Sequence, residues 1–474
     1  MSVDFRGNPL FPEGFNNPTR FEADVYDCEV WGKIPSDIEG TFFRMQCDYE
    51  YPPPHNDWMT GFNGDGHISS LVFKNGHVDF KARYVKTDRI MAERKARKRL
   101  FGVYRNPFTD DPSVKNVDRG TANTHMYWHG GKLLVLKEDS LPYIVDPHTL
   151  ETKGVWDFHG KWKSQTMSAH PKIDPVSGEM IAYGYQAKGL LTDDVAYYII
   201  GKDGRVKKEV WFKAPYIGIM HDQAITQKHI ALPLIPMTSS MDRLKAGNPM
   251  WTWDGSLPTM VAIMPRDGDA KDVRWFKGPS RMTLHFLNAT TVGNKVVMEL
   301  PCNDSQRSPS QIKRWTFDLD SKDDRIQEEV VSTANGFLAR MDDRYLSLPY
   351  KYCYVQNRDP SKPGDEKRAG RGIQRAINTY QSLDVHTGKA EAFYVGAVQN
   401  LQEPCFVPRK GGTAEGDGYI MGVASNYEST SSDLVIVDAQ RMSEGAIATV
   451  KLPFRLRSGT HTNWFSSTDL PLQV

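Results

Sequence analysis

The chain has 474 residues, and its 59 Lys+Arg against 58 Asp+Glu leave it almost without net charge. That balance argues against nucleic acid or an anionic membrane as a partner held by overall electrostatic attraction. Hydrophobic residues at 39% and charged residues at 25% are typical of a globular protein with a large core, and no apolar run reaches the length of a membrane span.

The N-terminal segment MSVDFRGNPLFPEGF has neither the basic start nor the apolar stretch of a secretory signal peptide. The five cysteines are scattered and form no CxxC pair, which argues against a disulfide framework and against a cysteine zinc site. These features favour a reduced, cytoplasmic setting. The sequence leaves the oligomeric state open, with a homodimer as one candidate.

The first predicted regular element is a helix around IMAERKARKRLFG, which is rich in good helix formers. Its basic run, Arg94 to Arg99, could form a binding patch. We favour a solvated helix face, because nothing else in the chain supports a polyanionic partner.

Short β-like runs separated by Asp, Gly and Pro dominate the rest of the chain, as in KIDPVSGEMIAYGY and INTYQSLDVHTGKAEAFYV. Each pairs two apolar runs across a turn, which predicts a β-hairpin. The equivalent turn position is occupied by Asp146, Asp174, Asp384 and Asp438. Recurring hairpins with few helices predict an all-β fold, a β-propeller, over 1–474 as a single domain.

Three histidines lie where predicted strands begin or end: His170, His221 and His285. They are 51 and 64 residues apart, about one four-stranded propeller blade each. Equivalent positions in successive blades converge on the propeller axis, and converging imidazoles bind metals such as Fe(II) and zinc. A buried histidine is also often only a hydrogen-bonded core residue, and spacing alone leaves both interpretations open.

Longer motifs extend the pattern over nearly the whole chain: FNGDGHISSLVF, ERKARKRLFGVYRNPFTDDPSV, GTANTH, LKEDSLPYIVDPHTLET, AHPKIDPVSGEM, MHDQAIT, EPCFVPR, AEGDGYIMGV and KLPFRLRSGTHTNW. On these motifs the chain resembles the carotenoid cleavage oxygenase family, and within it the branch that cleaves phenolic alkenes. The resemblance implies a seven-bladed β-propeller with helices and loops capping one face. It also implies non-haem Fe(II) as cofactor and O2 as co-substrate.

The resemblance assigns the four metal ligands to His170, His221, His285 and His461. It assigns hydrogen-bond partners of the ligands to Glu138 and Glu403, and to Thr124 a role in crowding one iron position. Two positions depart from the family pattern. Thr462 replaces the glycine after the last ligand, which we expect to tilt the local backbone. Phe337 or its neighbour stands where a third glutamate is usual, so we expect water or backbone to hold one imidazole.

The phenolic branch implies catalytic roles for Tyr104 and Lys137, which would bind the substrate hydroxyl and stabilise it as phenolate. Phe62 matches an aromatic residue that stacks on the substrate ring in stilbene cleavers. Neighbouring strand residues face opposite sides, so Lys137 and Glu138 can both point inward only at a strand end or bulge. Without the resemblance, Tyr104 would be a packing residue and Lys137 a surface residue.

The predicted activity is therefore cleavage of the central double bond of a 4-hydroxystilbene, of the lignostilbene or resveratrol type, into two aromatic aldehydes. A close alternative is cleavage of isoeugenol or 4-vinylguaiacol, because the chain between ELPCNDSQ and QIKRW is shorter than in stilbene relatives. Apocarotenoid cleavage is disfavoured, since buried Lys137 and Tyr104 would face an apolar chain unpaired. A non-catalytic propeller scaffold is the alternative from another class. The predicted partner is a small phenolic alkene, with no nucleic acid and no integral membrane.

Overall fold

The computed structural model describes residues 3–5, 8, 15, 17–57, 59–306, 308–369 and 376–472. Within these ranges 33 strands pair antiparallel into seven sheets. No helix in this described part of the chain is long and apolar enough to cross a membrane.

Strands β1–β9 are Ala23–Val25, Val30–Gly32, Gly40–Asp48, Asp65–Lys74, His77–Tyr84, His125–His129, Lys132–Leu136, Tyr143–Val145 and Thr152–Val155. Strands β10–β19 are Lys172–Ile173, Met180–Tyr185, Asp194–Ile200, Val206–Lys213, Gly218–Ile219, Ala224–Ile225, His229–Thr238, Thr252–Trp253, Thr259–Pro265 and Arg274–Gly278. Strands β20–β27 are Asn288–Val292, Lys295–Asn303, Ser310–Asp318, Gln327–Ser332, Ala339–Met341, Tyr352–Asn357, Thr379–Asp384 and Ala390–Tyr394. Strands β28–β33 are Gln399–Leu401, Cys405–Pro408, Gly418–Asn426, Ser431–Asp438, Ala446–Leu452 and Gly459–Ser466.

The sheets follow one another along the chain. The second to sixth sheets contain β6–β9, β10–β13, β14–β19, β20–β23 and β24–β27. The first sheet has the order β1-β5-β4-β3-β33, and the seventh combines β28–β32 with β2. Strand β2 therefore completes the seventh sheet, and strand β33 completes the first sheet. Two separate strand pairings thus close the ring. The predicted seven-bladed β-propeller is confirmed.

Each of the four turn aspartates ends a strand or directly follows one, and the next antiparallel strand of the same sheet comes after it, as the hairpin pattern predicts. Each accepts backbone N–H bonds from the turn that follows. Asp146 Oδ1, for example, accepts from His148 at 3.0 Å and from Thr149 at 2.9 Å. Such local bonds satisfy turn amides that would otherwise lack partners. The recurring Asp is thus a turn residue of the blades.

Among the described residues, four short α-helices interrupt the strands: α1 (Thr60–Asn63), α2 (Asp88–Ala96), α3 (Met241–Lys245) and α4 (Glu366–Ala369). The predicted helix is α2, but it begins earlier and ends sooner than the sequence suggests. Thr87 caps its start by accepting from Ile90 N, and Arg97 ends it in the left-handed conformation with φ of 55°. Short 3-10 helices cover Pro107–Thr109, Pro112–Val114, Ala270–Asp272, Asp343–Tyr345 and Met442–Glu444.

Two arginines of the basic run Arg94 to Arg99 pair with nearby carboxylates. Arg94 Nε lies 2.7 Å from Glu50 Oε2, and Arg99 Nη1 lies 3.3 Å from Glu93 Oε2. Both arginine side chains are mostly buried. Lys95, Arg97 and Lys98 are exposed, as expected for a solvated face. Arg94 and Arg99 differ from the expectation, because they turn inward to pair with acidic groups.

The C-terminal strand β33 lies against the fully buried β3 of the first sheet. Arg44 is paired with Thr462 and Gln46 with Gly459, so two residues of β33 stand opposite one residue of β3. The extra residue forms a bulge, which bends a strand and redirects a side chain. His461 lies in this bulge.

We predict that a chain ending before Gly459 will not fold, because β3 would lose one of its two partner strands and buried apolar surface would be exposed. Circular dichroism and thermal unfolding would show the loss. A control chain ending after Leu470 keeps β33 and should unfold cooperatively near the full-length temperature. A cooperative unfolding transition in the shorter chain would contradict the closing role of β33.

Candidate active site

The four predicted ligands come together from four different sheets. His170 lies just before β10, His221 between β14 and β15, His285 shortly before β20, and His461 in the bulge of β33. One nitrogen from each ring falls within a group whose atoms all lie within 4.8 Å of one another, and all four residues are buried. The spacing argument thus placed three of them correctly, one per successive blade.

Two of the buried imidazoles, His170 and His285, favour the neutral form that can bind a metal. Burial, followed by the neighbouring histidines, lowers the pKa of both His170 and His285 well below the usual value. His170 Nε2 lies 3.0 Å from His221 Nε2. A compact set of neutral imidazoles suits borderline metals such as Fe(II) and zinc. The donor set therefore fits the predicted metal.

Two buried carboxylates orient two of the rings. Glu138 Oε2 accepts from His221 Nδ1 at 2.6 Å, and Glu403 Oε1 accepts from His461 Nδ1 at 2.9 Å. Burial tends to raise the pKa of both carboxyl groups, but the adjoining histidines outweigh this effect and the pKa of each is lowered. An ionised acceptor at Nδ1 fixes the tautomer that leaves Nε2 free for a metal.

Thr462 does not need the conformational freedom of the glycine that it replaces. It lies within the regular extended part of β33 and has no positive φ. Its N–H and its hydroxyl donate to Glu403 Oε2 at 2.6 and 3.1 Å. Arg340 Nη1 donates to the same oxygen at 3.5 Å and to the Thr462 carbonyl at 2.6 Å. Threonine thus adds a bond to the carboxylate that holds His461.

His285 has no comparable acceptor. Neither ring nitrogen has a partner with hydrogen-bond geometry among the described residues. The Phe337 ring meets the imidazole edge-on, with centroids 5.0 Å apart and planes at 86°. The Phe337 backbone approaches His285 without reaching hydrogen-bond geometry. The expected replacement of a glutamate by Phe337 therefore leaves the third ligand without a side-chain partner.

The predicted phenol-binding residues lie beside this histidine group. Strand β7 ends at Leu136, so Lys137 and Glu138 follow a strand end, as expected. Lys137 Nζ donates to Tyr104 Oη at 3.2 Å, and Tyr104 Oη donates to Glu138 Oε1 at 3.1 Å. The Phe62 ring lies 6.0 Å from the Tyr104 ring, centroid to centroid.

Tyr104 is a neutral donor in this arrangement, because burial and then the charge of Glu138 raise its pKa well above the usual value. Lys137 Nζ also lies 4.9 Å from the Tyr104 ring centroid and 5.6 Å from that of Phe62. These contacts place the buried ammonium in an aromatic surrounding that stabilises a cation. A continuous hydrogen-bonded chain therefore links Lys137, Tyr104, Glu138 and His221.

A cavity of about 780 Å³ reaches the histidine group from another side. His125 and three of the four candidate ligands line it, whereas Tyr104 and Lys137 do not. His125 stacks on His461 with centroids 4.5 Å apart. Its neighbour Thr124 is buried, and the Thr124 carbonyl accepts from the Thr460 hydroxyl at 2.9 Å. The role of Thr124 beside the metal stays a prediction.

Three further residues at the site were missed by sequence reasoning: His125, Asp222 and Arg340. Asp222 directly follows a ligand in MHDQAIT, so its adjacency to His221 was a usable signal. His125 lies in the quoted GTANTH motif but has no strand-end spacing to the ligands. Arg340 lies in ANGFLARMDDRY, where the family pattern has an arginine after the third glutamate, but its contacts depend on the pairing of distant sheets.

Comparison with known proteins agrees with this geometry. The family described as retinal pigment epithelial membrane protein matches residues 16–466. The chain belongs to this family, the carotenoid oxygenases. A solved structure of lignostilbene dioxygenase from Pseudomonas brassicacearum has a TM-score of 0.93 and 38% identity, covering 98% of this chain and 100% of that one.

Two curated relatives from the family cover nearly the whole chain. The isoeugenol monooxygenase of Pseudomonas nitroreducens is 43% identical over 94% of this chain and 96% of its own length. The lignostilbene-alpha,beta-dioxygenase isozyme III of Sphingomonas paucimobilis is 41% identical over 97% of each chain. Similar identity to both kinds of enzyme agrees with the predicted phenolic branch.

We predict that the metal-free protein loses stability as the pH falls below about 6.5, the ordinary histidine value. His125, His170 and His285 have lowered pKa values when folded, so the unfolded chain binds more protons below that pH. Each can contribute up to about 1.4 kcal/mol per pH unit. Urea unfolding between pH 7.5 and 5 would measure the slope.

A His125→Leu variant serves as the control, because His125 is the one of these three histidines that is not a candidate ligand. It should lower the slope by about one third of the combined effect. A free energy of unfolding that stays constant from pH 7 to pH 5 would contradict the prediction.

Proposed function

We propose that the protein is a non-haem Fe(II) dioxygenase that uses O2 to split the central double bond of a 4-hydroxystilbene into two aromatic aldehydes. Family membership and the lignostilbene-cleaving relatives support this reaction class. We also propose that the chain works as one domain over 1–474, in the cytoplasm, where its five buried cysteines would stay reduced. A homodimer is part of the same proposal.

The observation that carries the proposal is the hydrogen-bonded chain from Lys137 through Tyr104 and Glu138 to His221. An ammonium group buried to 2% exposure is costly unless it meets an anion or strong acceptors. A phenolate oxygen meets this need. A phenolate oxygen bound to Lys137 would lie near a histidine group that can bind a metal, which supports the proposal.

The residues that would hold Fe(II) are His170, His221, His285 and His461. When bound, ferrous iron supplies the redox chemistry with O2. Glu138 and Glu403 keep two rings in the tautomer that presents Nε2. Because all four donors are neutral, the protein ligands leave the metal its full positive charge, which favours an electron-rich substrate nearby.

Lys137 and Tyr104 would supply that electron-rich substrate. The Lys137 ammonium has donors left after bonding Tyr104 Oη, and these can hold the substrate oxygen as phenolate. The Tyr104 hydroxyl donates its proton to Glu138. Its oxygen lone pairs are then free to accept from Lys137 Nζ and hold that group in place. Phenolate charge spreads through the ring to the alkene carbon, which makes the double bond reactive toward oxygen.

Phe62 favours a stilbene as substrate. Its ring lies beside both Tyr104 and Lys137, where it can pack against the phenolic ring of the substrate. Aromatic contacts of this kind prefer offset or edge-to-face geometry and orient a flat substrate.

Isoeugenol or 4-vinylguaiacol is a second candidate substrate, supported by the 43% identical isoeugenol monooxygenase. The short connection between β21 and β22, from Asn303 to Ser310, also leaves less chain to surround a second ring. Part of this connection, residue 307, lies outside the described residues.

A substrate panel separates these candidates. Iron-loaded protein in air should convert a lignostilbene and resveratrol into pairs of aldehydes, identified by mass. Cleavage of isoeugenol or 4-vinylguaiacol alone would replace the stilbene assignment and keep the reaction class. No cleavage of any of them by protein that holds iron would refute the proposed function.

We predict that Lys137→Met and Tyr104→Phe each lower kcat/KM for a 4-hydroxystilbene by about 10²- to 10⁴-fold, the usual value of positioned proton chemistry. The 4-methoxy analogue cannot form phenolate and should react poorly with every variant. Lys161→Met removes an exposed lysine and should leave the rate unchanged. Equal rates for the hydroxy and methoxy substrates would overturn the phenolate mechanism.

A further inference from the structure

The segments that carry three of the ligands meet at one buried carboxylate, Asp222, which directly follows His221. Asp222 Oδ2 accepts the backbone N–H of Phe286 at 2.9 Å, and Phe286 is the residue after His285. Asp222 Oδ1 accepts from Gln223 N at 2.7 Å and from Lys172 Nζ at 2.8 Å. Lys172 lies two residues after His170.

A second set of contacts joins the first two of these segments from the other side. Ser168 Oγ donates to the His221 carbonyl at 2.8 Å, and Gln223 Nε2 donates to the His170 carbonyl at 3.2 Å. The segments of His170 and His221 are therefore tied together more than once. The segment of His285 is different, because its link to them in this network is the bond from Phe286 N to Asp222.

His285 depends on that link because its ring lacks the restraint found at His221 and His461. Those two rings each donate to a carboxylate, whereas both nitrogens of His285 are without a hydrogen-bonded partner in the described structure. The imidazole is limited directly only by ring packing, against Phe337 and against the other three histidines, among the described residues. The position of the His285 main chain must then determine where its ring points.

We propose that Asp222 is a positioning residue of the metal centre. It fixes the position of the His285 ring through the backbone amide of Phe286, and so replaces the restraint that Phe337 does not give. The proposal rests on the proposed metal centre. The carboxylate is buried to 2% exposure and satisfied by donors from all three segments. A buried acceptor of this kind restrains main chain as firmly as Glu138 restrains a ring.

Asp222→Asn is the sharpest variant, since it keeps size and shape. An amide has one acceptor oxygen, so it can accept from Phe286 N or from the Gln223 and Lys172 side, but not from both. Metal-free protein would be titrated with Co²⁺ against a chelator of known affinity. We expect D222N to bind Co²⁺ 10- to 100-fold more weakly, the usual effect of losing a ligand's supporting bond, with an altered Co²⁺ absorption spectrum.

Two further variants test the route through His285. Phe337→Glu places a carboxylate beside the His285 ring and should tighten Co²⁺ binding in the parent chain. It should recover more affinity in D222N than it adds to the parent, because both changes act on one ring. Lys172→Gln removes one donor but leaves the Phe286 bond, and should change affinity less than threefold.

The outcomes are distinct. Unchanged Co²⁺ affinity in a folded D222N protein overturns the role of Asp222, as does an equal gain from F337E in both backgrounds. If D222N does not fold by circular dichroism, F337E alone still decides: no gain in Co²⁺ affinity over the parent refutes an unrestrained His285. A parent chain that binds neither Co²⁺ nor Fe²⁺ overturns the proposed function too, whereas metal binding without stilbene cleavage overturns the substrate assignment alone.

Discussion

The histidine group depends on closure of the ring of sheets. Its four imidazoles come from four separate sheets, and one nitrogen of each lies within 4.8 Å of the others. Three of them come from consecutive sheets and would approach one another in any propeller of this order. His461 comes from the far end of the chain and reaches the group only because β33 completes the first sheet. The bulge opposite Met45 then turns its side chain toward the other three.

Burying so many polar rings is costly unless each finds a partner. Glu138 and Glu403 meet part of that cost, and each carboxylate in turn needs its own donors. Arg340 and Thr462 supply them to Glu403, while Tyr104 supplies one to Glu138. The carboxylates therefore join the metal site to the surrounding structure.

Glu138 has a further consequence, since its two oxygens serve different purposes. Oε2 orients His221, and Oε1 accepts from the tyrosine that holds Lys137. A displacement of this carboxylate would move the metal ligand and the phenol-binding group together. One carboxylate therefore connects His221, a proposed metal ligand, with Tyr104 and Lys137, the proposed phenol-binding residues.

Much of the fold was predictable because its causes are local. Asp at each hairpin turn bonds to amides two or three residues away, and histidine spacing follows blade length. The strand end at Lys137 followed from the alternation of strand side chains. The local pattern could not predict three other features: the bulge at His461, the helix end at Arg97 and the inward-turned Arg94. They depend on which distant strand or carboxylate each residue meets after folding.

The two departures from the family pattern have opposite physical effects on the metal site. Thr462 adds a hydroxyl donor to Glu403 and so strengthens the support of His461. Phe337 takes away an acceptor and leaves His285 held by packing and by its main chain. Restraint is therefore unequal around the site, greatest at the ligands with carboxylate partners. A ligand that is held through its main chain moves when its sheet shifts relative to the next sheet. The position of the His285 ring therefore depends on how these two blades pack.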